Sequence, residues 1–155
     1  MHLRCVLCFA VQPGRILLIE KRRGFGAGKV NGPGGKIDPG ETPRRAAIRE
    51  MEEEIGVRPV GVRRAGELYF RFADGMRIDC VVFRADGIEG ELKTTEEAIP
   101  FWSAWEDIPY DRMWQDDRHW LPLLLNKKSG PYFKGRFFFE GETMREWKVT
   151  TASPR

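Results

Sequence analysis

Only three of the 155 residues are cysteine and only two are histidine, and no apolar run approaches the length needed to cross a membrane. An odd cysteine count argues against a disulfide framework, and a chain of this length can bury one complete core without such staples. Cys5 and Cys8 have the spacing of a metal or redox pair, but they lie in an apolar run that reads as a strand. An offset of three in a strand points side chains to opposite faces, so packed thiols are expected. Neither His2 nor His119 has a partner at ligand spacing, which argues against a histidine-based metal centre. Met1-His-Leu-Arg lacks the apolar stretch of a signal peptide, so the expectation is a cytoplasmic protein with no membrane partner. A charge excess of one sign is missing too. There are 26 Lys and Arg against 23 Asp and Glu, interspersed along the chain, for a formal net charge of +3. That balance gives no electrostatic footprint of a nucleic-acid polymer binder and is compatible with a small anionic substrate. No Walker A motif occurs, because neither Gly28-Lys29 nor Gly35-Lys36 is followed by Ser or Thr, which argues against a P-loop NTPase.

The elements alternate irregularly, without repeats, low-complexity tracts or an interdomain linker. Leu3 to Val11 and Ile16 to Ile19 read as strands joined by the turn Gln12-Pro13-Gly14-Arg15. Glu67 to Phe72 and Arg77 to Phe83 read as a hairpin about Ala73-Asp74-Gly75, and Ile99 to Trp105 as a further strand. Asp111 to Leu125 carries an amphipathic helical signal, and Tyr132 to Glu140 with Thr143 to Val149 reads as a final hairpin around Gly141. The fold class expected is an α/β sandwich with a mixed sheet, one domain over residues 1–150 and a frayed tail over 151–155.

The most informative stretch runs from Gly35 to Val57. Thr42 suits an N-cap, Pro43 the first helical position and Gly56 the residue past the end, so a helix is expected between them. Ala47, Ile48, Met51 and Ile55 fall at helical spacing and form the core-facing stripe. Glu50, Glu53 and Glu54 stack on another face, where like charges repel unless a cation bridges them. Oxygen-only ligands beside a phosphate site suit magnesium. By itself Glu-x-x-Glu-Glu reads as a solvated acidic face. Here it follows the glycines Gly34, Gly35 and Gly40, which let the backbone approach a ligand, and Glu41 is spaced to reach Arg49.

In full the segment matches Gly-x5-Glu-x7-Arg-Glu-U-x-Glu-Glu-x-Gly-U, where U is a bulky aliphatic, and resembles the Nudix box. The resemblance implies a mixed sheet between helices and hydrolysis of nucleoside diphosphates linked to another group. It also implies magnesium, or manganese in its place, held by Glu50, Glu53 and Glu54.

Two further stretches bear on substrate. Lys21 and Lys36 are spaced to meet phosphate oxygens, while Phe25 offers an aromatic surface and Asn31 a base-edge partner; a basic loop with a turn-forming Asn is the plain reading. Trp114, Asp116 and Asp117 precede an apolar helical run, where an N-cap is the simplest reading. Alternatively, Trp114 stacks on a purine while the two carboxyls share a proton, one donating and the other accepting at its edge.

Lys21-Arg-Arg-Gly-Phe-Gly-Ala-Gly-Lys, Asn31-Gly-Pro-Gly-Gly-Lys, the box, Met113-Trp-Gln-Asp-Asp and Trp120-Leu-Pro-Leu-Leu-Leu are together similar to the eukaryotic MutT homologues that hydrolyse oxidised purine nucleoside triphosphates. That resemblance implies substrates of the 8-oxo-dGTP and 2-oxo-dATP type, cleaved to monophosphate and pyrophosphate. It assigns base recognition to Asn31, Asp116 and Asp117, stacking to Trp114, and pocket lining to Phe25 and Phe70. Glu97 would join the box carboxylates, Gly34 would offer its carbonyl to the metal, and Glu53, with Glu97 second, would be the general base. Val6, Val30, Pro33, Ile78 and Gln115 depart from the family pattern and bear on base preference. Two rivals stand beside this reading: the same chemistry on other nucleoside triphosphates or dinucleoside polyphosphates, and a nucleotide-binding module without catalysis. A monomer is expected.

Overall fold

The computed structural model describes residues 1–125 and 131–152. In chain order the strands are β1 (His2–Gln12), β2 (Arg15–Lys21), β3 (Val30–Asn31), β4 (Gly34–Lys36), β5 (Arg58–Val60), β6 (Arg63–Phe72), β7 (Arg77–Ala85), β8 (Gly87–Glu89), β9 (Ala98–Ala104), β10 (Tyr132–Glu140) and β11 (Thr143–Ala152). Helix α1 (Pro43–Ile55) lies between β4 and β5, and α2 (Asp117–Leu125) between β9 and β10. The main sheet has the order β11-β10-β6-β7-β1-β2-β3, with β4 added to β1 and β9 to β2. The β1–β7 and β6–β10 pairs are parallel and the other pairs antiparallel, so the sheet is mixed as expected. Strands β5 and β8 pair separately.

Strand alternation divides the interior in two. Phe9 and Val11 of β1 join Leu68, Cys80, Val82 and the α2 residues Trp120, Leu121 and Leu124 in one core. Val6, Cys8 and Ala10 point the other way and pack with Ala47, Met51 and Ile55 of α1. The helices therefore cover opposite faces of the sheet. Cys5 packs against the α2 core and Cys8 lies in the α1 core, so these two thiols do face apart, and all three cysteines are free.

Helix α1 has the expected limits. The Thr42 hydroxyl accepts from the Arg45 N–H at 3.2 Å, Pro43 opens the first turn, and Gly56 closes the helix at φ +76°, where a side chain would be strained. The second helix corrects the sequence reading, because it begins at Asp117 rather than Asp111. Tyr110–Arg112 form a single 3-10 turn, and Met113 is extended, with its side chain anchored in the α2 core. The burial of Met113 overrides the local helical period and turns the Trp114 to Asp116 segment toward a cavity. Strand β11 continues to Ala152, so Thr151 and Ala152 are paired rather than frayed, and residues 153–155 of the expected tail lie outside the described residues.

Candidate active site

The cavity encloses about 880 Å³ and lies at the junction of β1, β4, β6, β7 and α1. One end is polar. Strand β4 lies along β1, with Gly35 opposite Val6, and a Cβ on Gly34 would fall 2.1 Å from the Val6 carbonyl oxygen. A Cβ on Gly35 would meet the Glu50 carboxyl at 2.6 Å. Glycine at both positions is what lets α1 bring its carboxylates onto the strand.

Those carboxylates differ in their surroundings. Glu54 is 5% exposed and accepts the Gly34 N–H at 2.7 Å; burial pushes its pKa up to about 7. Burial also raises Glu50, although Arg49 holds it at 2.7 Å. Glu53 is exposed, 3.2 Å from the same guanidinium. Arg49 is in turn gripped by Glu41 through two bonds of 2.7 and 2.8 Å and donates to the Lys36 carbonyl at 3.0 Å. The Arg49 hydrogen bonds hold Glu41 down at about 2, so this clasp is ionised throughout the neutral range. Arg49 and Glu41 do not line the cavity; they fix the residues that do.

Glu97 arrives from the segment before β9. Thr95 ties it to α1, donating to the Glu54 carbonyl at 2.6 Å and accepting the Glu97 N–H at 3.1 Å. The Glu97 carboxylate accepts from Arg23 Nε at 2.8 Å, and that bond lowers its pKa. Glu50, Glu53, Glu54 and Glu97 all line the cavity, together with Lys21, Gly34, Gly35 and Lys36. Among the described residues, no three His, Cys, Asp or Glu side chains converge into a metal-holding group as they stand.

The other end is aromatic and closes on two buried carboxyls. Phe70 and Trp114 line it, and Phe25, half-exposed, stacks on Trp114 at 5.2 Å and 6°. Lys29 stands 4.9 Å from the same indole, while its ammonium meets Glu142 at 3.1 Å. Asn31 lines the cavity, but its side-chain oxygen accepts the N–H of the next residue, Gly32, at 2.8 Å. Asp116 is 2% exposed and accepts from Trp120 Nε1 at 2.8 Å. Asp117 is 3% exposed, and its Oδ2 has no hydrogen-bond partner. Burial raises both pKa values, and for Asp117 the neighbouring Asp116 charge adds to it, which favours its protonated form.

Every expected substrate residue reaches this cavity. Of the departures from the family pattern, Val6 and Ile78 line it. Val30 belongs to the α2 core, the Pro33 carbonyl accepts from the Cys8 N–H at 2.8 Å, and Gln115 accepts from the Met144 N–H at 2.7 Å. Sequence reasoning missed Arg23, Phe72, Phe139 and Cys80, which also line the cavity. Strand alternation places Phe72 with Phe70 and gives the one signal available for it. Phe139 arrives through the parallel β6–β10 pairing, which has no local signature.

The match to the family described as NUDIX domain covers residues 1–124. The chain belongs to the Nudix family. A zebrafish (Danio rerio) relative named oxidized purine nucleoside triphosphate hydrolase is 46% identical over 136 residues, 87% of this chain and 85% of that protein. The mouse (Mus musculus) protein of the same name is 40% identical over 137 residues, covering 88% and 86% of the two chains. A MutT protein from Bacillus halodurans superposes with a TM-score of 0.83 over 95% of this chain and 97% of that one; at 23% identity it speaks for the fold. The protein is thus a Nudix hydrolase with an intact box, and its Nudix fold sets the box helix α1 against the glycine strand β4.

Proposed function

We propose that this Nudix hydrolase cleaves oxidised purine nucleoside triphosphates, of the 8-oxo-dGTP and 2-oxo-dATP type, to the monophosphate and pyrophosphate. The observation that carries the base assignment is the unpartnered Oδ2 of Asp117, buried at the closed end of an aromatic cavity. An orphaned buried oxygen is costly unless a ligand satisfies it. A protonated Asp117 beside a hydrogen-bonded Asp116 offers a donor and acceptors together, which suits a purine edge whose pattern oxidation has changed. Trp114 supplies the stacking surface, with the half-exposed Phe25 as the group a purine would displace, and Asn31 and Phe70 bound the base. The names of the zebrafish and mouse relatives support the same class.

At the polar end the donors are all oxygen, and two of the carboxylates have pKa values raised by burial, so a divalent cation fits there. Glu50, Glu53, Glu54, Glu97 and the Gly34 carbonyl would hold it, magnesium first and manganese as a substitute. Such an ion supplies charge neutralisation on phosphate oxygens and acidifies a bound water. Lys21 and Lys36 orient the phosphates. Glu53, exposed at the cavity wall and steadied by Arg49, accepts the proton of the attacking water, with Glu97 second because Arg23 holds it ionised. The proposal includes a free nucleotide as substrate, a monomeric enzyme and a cytoplasmic site of action.

The deciding measurement is the ratio of kcat/KM for 8-oxo-dGTP and dGTP with magnesium, following the monophosphate by chromatography. A ratio well above ten is expected. Equal rates would redirect the assignment to other nucleoside triphosphates or dinucleoside polyphosphates, and no turnover of any nucleotide would favour a binding module.

A further inference from the structure

Helix α1 covers the sheet over β1, β4 and the strands beside them, and among the described residues no other element covers the same face of β6, β10 and β11. The register sets two rows of side chains across that open face. One row runs Arg4, Asp79, Tyr69, Arg136, Lys148, and the next runs His2, Arg77, Arg71, Phe138, Glu146. Within them Arg71 stands directly opposite Arg77, and Arg136 directly opposite Lys148. Like charges facing across antiparallel strands destabilise a sheet. Among the described residues no carboxylate pairs with any of these four cations, and all four are exposed. Two of the nearby acids are engaged elsewhere, and a third, Glu146, stands at the β11 end of the second row. His2 meets Asp79 at 2.8 Å, and Glu67 accepts the Tyr69 and Tyr132 hydroxyls at 2.6 and 2.7 Å.

We infer that this face binds single-stranded nucleic acid. Two unfavourable cation pairs on one sheet face are relieved by a polyanion, and neighbouring rows lie about 6.8 Å apart, two residues along a strand. An extended backbone with regularly spaced phosphates fits that track. Phe138 stands partly exposed between Arg71 and Glu146, and Arg136 lies over the Tyr69 ring at 5.4 Å. Cations interleaved with aromatic rings suit phosphates interleaved with bases better than they suit an acidic peptide or a lipid surface. Interspersed charges in the sequence predicted no polymer partner; the cations of this face are collected only by strand pairing. The inference is independent of the nucleotide assignment, because none of these residues lines the catalytic cavity.

The test is fluorescence anisotropy of labelled oligothymidylate with the full chain and with an Arg71→Gln/Arg136→Gln double variant, across a salt series. The parent is expected to bind saturably, with log Kd rising against log salt at a slope of about 3, roughly 0.7 for each of the four cations. The double variant should bind at least ~10-fold more weakly, with the slope reduced by about 1.4. Its hydrolytic rate should be retained and its Tm equal to or above the parent's, since one charge of each opposed pair is gone. Equal affinity of parent and variant would overturn the inference. So would the absence of saturable oligonucleotide binding, or equally tight binding of polyglutamate or of phosphatidylserine vesicles.

Discussion

Asp117 and Glu54 are both buried acids in one cavity, and their neighbours differ. Asp117 has an unsatisfied oxygen and the Asp116 carboxyl next to it, while Glu54 has a backbone N–H in front of it and sits beside Glu50. Asp117→Asn is expected to lower kcat/KM for 8-oxo-dGTP by on the order of 10- to 100-fold, the range for mispairing one buried hydrogen-bonding group, and to affect dGTP less. An equal fall for both substrates would detach Asp117 from base recognition. For Glu54 the folded-state pKa of about 7 lies above the ordinary 4.5, so between those values the folded chain holds a proton that the unfolded chain has released. Its contribution to stability is therefore full below about 4.5 and falls as pH rises through about 7, by at most about 3 kcal/mol. Thermal unfolding in chelator from pH 4.5 to 8 should show that fall, a Glu54→Gln variant should lessen it while Glu50, Asp116 and Asp117 supply the remainder, and saturating magnesium should oppose it at the upper end. Asn31, by contrast, reads in the sequence both as a turn residue and as a base partner; its bond to the Gly32 N–H answers to the first reading, and its place in the cavity wall is compatible with the second.

Among the elements, α1 is readable to its ends because each boundary rests on a residue with one local job: the Thr42 cap, the Pro43 start and the Gly56 stop. Thr42→Ala should cost about 1 kcal/mol, seen as a lower denaturant midpoint at unchanged m-value; since α1 carries three cavity carboxylates, its fraying would reach the site first. Strand β4 is not readable. Two of its three residues are glycine, which is a loop signal by composition, and only the closeness of Val6 and Glu50 explains why they form a strand. The start of α2 misleads for the complementary reason. Met113, Trp120 and Leu124 satisfy a helical period, yet Met113 is held in the core by an extended backbone. In each case local propensity gives way to a contact with a residue distant in sequence.

For the whole molecule, a mixed sheet with a helix on either face follows from alternating burial in the strands, and the order of residues along β1 already carries that alternation. Strand order is a different matter. The parallel pairings of β1 with β7 and β6 with β10 join segments more than sixty residues apart, and no local pattern announces them. The two consequences of those pairings, Phe139 in the cavity and Arg136 above Tyr69, are correspondingly hidden from a reading of the chain. Finally, the thiols that the sheet divides between its two cores share a chemical fate. Burial raises the pKa of Cys5, pushes Cys8 up to about 12 and lifts Cys80 well beyond its ordinary value. Peroxide attacks the thiolate, and at neutral pH very little is present here. If the chain removes oxidised nucleotides as proposed, it would thereby keep working in the presence of the oxidants that create its substrates.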